Sequence, residues 1–74
     1  MSSIPQVSGQ KVVKALLSVG FKKISQKGSH IKLRHIDGRI VIIPNHKNIK
    51  KGTLKQGILK PIGISVQEFI ELLD

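Results

Sequence analysis

Residues 21–43 read FKKISQKGSHIKLRHIDGRIVII, which contains three segments of strand-forming composition separated by two turn signals. In the middle segment, residues 30–36, apolar and polar residues alternate, which is typical of a strand with one buried face. Asp37-Gly38 predicts a two-residue type I′ turn, because both central positions of that turn need a positive φ. Residues 39–43 then predict the return strand of a hairpin.

A further strand is predicted before this hairpin. Residues 21–26 predict the first strand, and residues 27–29, Lys-Gly-Ser, predict the turn that follows it. The whole stretch therefore predicts a three-stranded antiparallel meander. Ile31 and Leu33 of the middle strand are expected to face the core. The residues expected on the opposite, solvent-exposed face are His30, Lys32 and Arg34.

Helical patterns lie on both sides of the meander. Residues 10–19 place valine and leucine at helical spacing behind Ser8, a suitable N-cap. A short helix is predicted at residues 54–60, ended by Pro61 and Gly63, and an amphipathic last helix near the C-terminus. The two predicted capping boxes are Thr53 with Gln56 and Ser65 with Glu68.

The element order predicts one α+β domain that spans residues 1–74. A three-stranded antiparallel sheet with helices on one face gives two layers around one small core. A chain of 74 residues leaves no room for a separate catalytic or dinucleotide-binding domain. Any activity must therefore come from a few side chains on a small scaffold.

Basic residues dominate the charge of the chain, whose formal net charge is +9. All thirteen Lys and Arg residues lie between Lys11 and Lys60, with Asp37 as the single acid among them. Charge of one sign on so small a domain is typical of nucleic-acid binding, since it otherwise costs self-repulsion. A solvated basic surface that aids solubility is the alternative interpretation.

Other classes of protein are disfavoured by the composition. The chain has no cysteine, so it has neither disulfides nor a thiolate zinc site. Its longest aliphatic run, residues 40–43, is far too short to span a membrane, and no signal peptide is recognisable. Four acidic residues are too few and too scattered for a two-metal nuclease site. We therefore expect a cytoplasmic protein without membrane contact, metal or other cofactor.

RNA recognition is expected to proceed through the phosphate backbone. Single-strand platforms stack bases on exposed aromatic rings, and this chain has only Phe21 and Phe69. Backbone recognition by lysines predicts weak sequence preference and strong salt dependence. The residues expected to contact RNA are Lys27, Gly28, Ser29, Lys32, Arg34 and Lys47.

Histidine is the candidate for chemistry, because it exchanges protons near pH 7. His30 follows Gly28-Ser29, where glycine allows close approach of a phosphate and serine can hydrogen-bond one. The RNA 2′-hydroxyl can attack the neighbouring phosphate, so a proton acceptor, a proton donor and nearby cations suffice without a metal. By spacing alone, a structural role is the more common explanation of such a histidine. His35 is expected to be partly buried and structural. His46 is expected with equal weight either to contact phosphate or to support the loop in which it lies.

Three short motifs follow one another at a defined spacing. They are Lys27-Gly-Ser-His30, Pro44-Asn-His46 and Lys51-Gly-Thr-Leu-Lys55. Through these motifs, and over most of its length, the chain resembles the HicA family of toxins. These are small RNA-cleaving proteins of bacterial and archaeal toxin–antitoxin pairs.

The resemblance implies a double-stranded-RNA-binding-domain-like fold of order α-β-β-β-α, to which this chain adds a short helix. It also implies that His30 is the catalytic residue of a metal-independent endoribonuclease that cleaves mRNA. A HicB-type antitoxin is then expected to cover the active site, and the toxin alone is expected to be monomeric.

Two other functions stay open at this point. A non-catalytic RNA-binding module or regulator would bind RNA in a salt-sensitive way without cleaving it. A basic interaction protein with no role in nucleic-acid binding would have no affinity for RNA even at low salt.

Overall fold

The three predicted strands form one antiparallel sheet in the order β1–β2–β3. The computed structural model describes residues 6–73. Its elements are α1 (Gly9–Leu17), β1 (Phe21–Lys27), β2 (His30–His35), β3 (Ile40–Pro44), a π-helix (Thr53–Leu59), α2 (Lys60–Ile62) and α3 (Val66–Leu72). This order confirms the predicted α+β class with a three-stranded meander and helices on one side.

One face of the sheet forms the core, as the alternation in β2 predicts. Ile31 and Leu33 are buried, and so is Phe69 on α3. The buried cluster joins the inner face of the sheet to the helices, so the fold has two layers. The sheet residues of this cluster are Phe21, Ile31, Leu33, Val41 and Ile43.

Two of the three predicted helix caps are confirmed. The Ser8 hydroxyl accepts a hydrogen bond from the backbone N–H of Lys11, at 3.2 Å. Ser65 forms a complete capping box: its hydroxyl accepts from the N–H of Glu68 at 3.1 Å, and its own N–H donates to the Glu68 carboxylate at 3.3 Å. These bonds satisfy backbone donors that a helix start leaves without partners.

The predicted capping box of Thr53 with Gln56 is wrong. The helix already includes Lys51 and Gly52, and the N–H of Leu54 bonds to the carbonyl of Lys50 at 2.9 Å, so Thr53 lies inside the helix and not at its cap. The predicted short helix is present as a π-helix over Thr53–Leu59, in which the N–H of Lys60 bonds to the carbonyl of Lys55, five residues back. Within residues 6–73, no helix has the length and apolar character to cross a membrane.

Of the two residues predicted to end this helical segment, Gly63 is confirmed and Pro61 is not. Pro61 lies within the continuous helical segment of residues 51–62, to which it donates no backbone N–H. The chain leaves the helix at Gly63, which has a φ of 74° and donates its N–H to the carbonyl of Lys60. Gly63 therefore supplies the stop, because its left-handed conformation is strained for a residue with a Cβ.

The predicted two-residue turn at Asp37-Gly38 is also wrong. The last backbone hydrogen bond of the hairpin runs from the N–H of His35 to the carbonyl of Arg39, at 2.8 Å, so the loop has three residues. Gly38 has a φ of 100°, whereas no non-glycine residue among those described has a positive φ. Asp37 thus avoids the left-handed conformation that a type I′ turn requires, and its carboxylate accepts the N–H of Arg39 at 3.0 Å.

A β-bulge interrupts the first strand. Lys23 pairs with Leu33, but Ser25 pairs with Lys32, so Ile24 is an extra residue without a partner on β2. The bulge reverses the alternation of side chains in the second half of the strand. Lys27 therefore lies on the solvent face of the sheet, although it has the same parity as the buried Phe21.

Candidate active site

His30 is the first residue of β2 and is exposed on the solvent face of the sheet. Its cross-strand neighbours are Lys27 on β1 and Pro44 on β3. The two-residue turn before it consists of Gly28, with a φ of 60°, and Ser29. The open turn brings the backbone close to solvent directly beside the imidazole, because nothing lies within 4 Å of the position that a Cβ on Gly28 would take.

A shallow depression of about 320 Å³ contains the side chain of His30. Two ammonium groups, a hydroxyl and an apolar side chain complete its lining, and none of these groups is an acid. The lining residues are Ser25, Lys27, His30, Lys32 and Ile42. This combination fits a phosphodiester, whose charge would be neutralised by the lysines while the imidazole exchanges a proton.

The turn beside His30 is hydrogen-bonded to two other parts of the chain. The carbonyl of Ser29 accepts the N–H of Asn45 at 2.6 Å. The side-chain oxygen of Asn45 in turn accepts from the Gln10 amide at 3.0 Å, and the N–H of Gly9 donates to the carbonyl of His46 at 2.8 Å. The position of the turn is therefore set by the loop after β3 and by the start of α1.

The structure groups some of the predicted RNA contacts around His30 and separates others. Lys27 and Lys32 line the depression with His30, and Gly28-Ser29 form the adjacent turn. Arg34 is exposed further along β2, paired with Lys22 and Ile40. Lys47 is exposed in the loop after β3 and does not line the depression. The predicted contacts therefore extend from the end of β1 through the turn to Lys32 and Arg34 on β2, with Lys47 apart from them in a loop.

Two residues of the depression were absent from the sequence prediction. Ser25 and Ile42 are the cross-strand neighbours of Lys32. Residues 40–43 are uniformly aliphatic, so the sequence did not show which of them point outward, and it is the pairing with Lys32 that places Ile42 on the solvent face. Ser25 could not be found either, because the bulge at Ile24 changes the face on which it lies.

His35 is partly buried, as expected, and takes part in packing. Its ring lies 5.0 Å from that of Phe21 in an edge-on arrangement, and its side chain is 15% exposed. Nε2 is 3.0 Å from the carbonyl oxygen of Val19, and Nδ1 accepts the N–H of Asp37 at 3.1 Å. Nδ1 also lies 3.1 Å from Oδ1 of Asp37, so both ring nitrogens are held by contacts within the fold, which suits a structural histidine.

Arg39 forms hydrogen bonds at the other end of the hairpin, with Asp37 and Ile62. Its Nε donates to both carboxylate oxygens of Asp37, at 2.9 and 3.1 Å, and its guanidinium donates to the carbonyl of Ile62. It also lies 5.3 Å from the ring centroid of Phe21. The hydrogen bonds from Arg39 lower the pKa of Asp37 below its ordinary value. This ion pair joins the hairpin tip to α2 and lies apart from the depression.

Within residues 6–73, no three His, Asp or Glu side chains are close enough together to share a metal ion. His46, the third histidine, is exposed in the loop after β3, and its backbone N–H donates to the carbonyl of Pro44 at 2.9 Å. It contributes to the loop that holds the Ser29 turn, and it is not part of the depression lining.

Comparison with known proteins gives one family match. The family model described as "HicA toxin of bacterial toxin-antitoxin" matches residues 9–64. The matched segment runs from α1 through α2 and includes His30 and all residues that line the depression. A comparison with curated proteins gave no match.

Proposed function

This chain belongs to the HicA toxin family of bacterial toxin–antitoxin systems, and from that premise we propose that it is an endoribonuclease that cleaves mRNA with His30 as its acid–base catalyst. One observation carries the proposal: an exposed histidine stands in a depression between two lysines. The family match supplies the toxin role, and the site supplies a chemistry by which such a toxin would act.

The proposed reaction uses the 2′-hydroxyl of RNA as the nucleophile. His30 accepts the proton of this hydroxyl while the oxygen forms a bond to the adjacent phosphorus. The bond from phosphorus to the 5′ oxygen of the next nucleotide breaks, and that oxygen takes a proton from solvent water at the open site. The products are a 2′,3′-cyclic phosphate and a free 5′-hydroxyl, and His30 returns its proton to solvent.

Lys27 and Lys32 stabilise the phosphate in this proposal. Extra negative charge develops on the non-bridging oxygens as the 2′ oxygen attacks, and the two ammonium groups flank the imidazole. The hydroxyls of Ser25 and Ser29, together with the open backbone at Gly28, would hydrogen-bond phosphate oxygens. No metal is needed for this route, because the nucleophile is part of the substrate and no water has to be activated.

The partner in this proposal is a HicB-type antitoxin that covers the depression. Toxin–antitoxin families pair each toxin with a neutralising protein, and this surface is strongly basic. An antitoxin that presents acidic residues to Lys27 and Lys32 would compete with RNA for the same charges. Since mRNA is the substrate, the activity would take place in the cytoplasm.

The test is cleavage of a defined RNA by the purified protein in excess EDTA. We expect cleavage to persist with EDTA, and the His30→Ala variant to be slower by about 10²–10⁴-fold. A matched control is Lys14→Ala, since Lys14 lies on α1, in the helical layer behind the sheet. A substrate with 2′-deoxyribose at the cleaved position should be bound but not cut.

Three outcomes would contradict the proposal in different ways. Equal cleavage by His30→Ala would remove His30 from the chemistry. Loss of cleavage in EDTA, restored by Mg²⁺, would show that the reaction requires a metal ion and would contradict the metal-free route. Salt-sensitive RNA binding with no cleavage under any condition would favour a non-catalytic RNA-binding module.

A further inference from the structure

The two edges of the sheet differ in a way that the RNA site does not explain. β1 carries three lysines (Lys22, Lys23 and Lys27) and the bulge at Ile24, and Lys23 Nζ donates to Gln26 Oε1 at 2.7 Å along its outer side. Lysines and bulges are the features that prevent an edge strand from pairing with another chain. β3, in contrast, reads IVIIP and has no charged residue and no irregularity in its pairing with β2.

The backbone of β3 presents hydrogen-bonding groups to the outside. Hydrogen bonds from His35 to Arg39 and from Asn45 to Ser29 mark the two ends of the β2–β3 ladder. Between them, alternate residues of an antiparallel strand bond to the neighbour, so Val41 and Ile43 point their N–H and C=O groups toward β2.

Ile40 and Ile42 therefore direct their N–H and C=O groups away from β2. Within residues 6–73, no backbone hydrogen bond outside the helices and strands involves either residue, and β3 has no second neighbouring strand. Two donors and two acceptors are thus available in a line for an added strand.

The side chains beside this line indicate what would dock there. Ile40 and Ile42 are 50% and 51% exposed on the solvent face. Their cross-strand neighbours on β2 are Arg34 and Lys32, respectively. An added strand would place apolar side chains against the isoleucines, and carboxylates could reach the two cations across them.

We propose that the outer edge of β3 is a docking site for an extended segment of a protein partner, in which apolar and acidic residues alternate. The segment would pair with Ile40 and Ile42 through its main chain and extend the sheet to four strands. A second copy of this chain is the disfavoured occupant, because each copy has a net charge of +9 and would bring cations to cations. The inference takes from the proposed function only the expectation that a protein partner exists.

The probe is an eight-residue peptide of alternating valine and glutamate, titrated into the ¹⁵N-labelled protein at low salt. We expect saturable shifts of the amide signals, centred on Ile40 and Ile42, together with slower hydrogen exchange at both amides. An otherwise identical peptide with lysine in place of glutamate should bind at least about tenfold more weakly, and added salt should weaken binding of the acidic peptide.

Ile42→Pro tests the geometry of the edge. Proline removes the outward N–H of residue 42 but no hydrogen bond of the β2–β3 ladder, and an edge strand tolerates it there. We expect about tenfold weaker peptide binding, the size of effect that loss of one hydrogen bond produces. Gln26→Pro is the matched control, since by the same alternation its N–H faces outward from β1. This variant should bind the peptide as the unaltered protein does.

Ile42→Lys is the second variant, should Ile42→Pro unfold as judged by circular dichroism. It keeps the backbone donors but places a cation at the edge, and it too should weaken binding of the acidic peptide.

Three results of the peptide titration would overturn the proposal: no amide shifts at millimolar peptide, shifts centred on β1, or equal binding of the two peptides. Concentration-dependent dimerisation that Ile42→Lys abolishes would identify a second copy of the chain as the occupant. It would overturn the proposal of an acidic partner segment. RNA cleavage is judged on the unaltered protein and on His30→Ala, and not on the Ile42 variants, because Ile42 also lines the depression, so this site and the role of His30 can fail independently.

Discussion

The backbone N–H of Asn45 lies 2.6 Å from the carbonyl oxygen of Ser29, so the turn that precedes His30 is hydrogen-bonded to the loop after β3. Asn45 is also bonded to Gln10 on the first turn of α1. The candidate catalytic residue therefore depends on a contact between three segments that are far apart in sequence. Substitutions at a distance from His30 should affect the site through this contact.

Gly9→Ala should destabilise the protein and disturb the turn at Ser29. A Cβ on Gly9 would lie 2.2 Å from the carbonyl oxygen of Pro44, which is backbone and cannot move independently. We expect a loss of about 1–3 kcal/mol in the free energy of unfolding, as for other overpacked sites, measured by urea denaturation. Gly57→Ala is the control, because the nearest atom to its Cβ is a side-chain methyl of Thr53 at 3.9 Å. A similar loss in both variants would contradict the role of this close contact.

Gly28→Ala should be destabilising for a conformational reason alone. A Cβ on Gly28 would have no atom within 4 Å, but the residue has a φ of 60°. We expect a cost of about 1–2 kcal/mol in the free energy of unfolding. Gly52→Ala has equally open surroundings but a helical φ of −62°, so it should be neutral or stabilising by about 0.5–1 kcal/mol. The two variants compared in one denaturation series separate backbone strain from packing.

Asp37 should make the stability of the hairpin depend on pH. The hydrogen bonds from Arg39 lower the pKa of Asp37 in the folded protein, relative to about 3.9 in the unfolded chain. A lowered folded pKa stabilises the protein above the unfolded pKa, and this contribution is lost as the pH falls through the folded pKa. Asp37→Asn should therefore lower Tm at pH 7, and the difference from the unaltered protein should shrink as the pH falls below the unfolded pKa. A difference that persists unchanged at low pH would show that charge is not its cause.

Lys32→Ala should weaken RNA binding through counterion release. Lys32 lines the depression with His30, so it is expected to neutralise one phosphate. The slope of log K against log salt for single-stranded RNA should then become less steep by about 0.7, as measured by fluorescence anisotropy at several salt concentrations. Lys14→Ala, on the helical layer, should leave the slope unchanged. Equal slopes for Lys32→Ala and the unaltered protein would remove Lys32 from the interface.

The solvent face of β2 could be predicted from sequence because its alternation is regular. Ile31 and Leu33 are buried and His30 is exposed, as a period of two residues requires. The serine caps could be predicted for a similar reason, since each depends on residues within one helical turn. Local chemistry therefore accounts for the scaffold beneath the site.

The features that sequence reasoning missed depend on pairing between distant residues. Asp37-Gly38 fits a two-residue turn, but the ladder between His35 and Arg39 leaves a three-residue loop, and this choice is made by the register of two strands. Thr53 has a suitable side chain for a cap, yet the helix already begins at Lys51, two residues earlier. The depression could be assembled from sequence only in part: Lys27, His30 and Lys32 were predicted together, but Ser25 reaches this face through the bulge at Ile24.

The bulge at Ile24 makes β1 two half-strands that are out of phase by one residue. Each half keeps a regular register with β2, Lys22 with Arg34 before the bulge and Lys27 with His30 after it. Deleting Ile24 would leave both sets of partners in place and merely convert the bulge into an ordinary ladder. Among related chains, a one-residue difference in length at this position would be compatible with the same site, so an alignment gap here would carry no functional meaning.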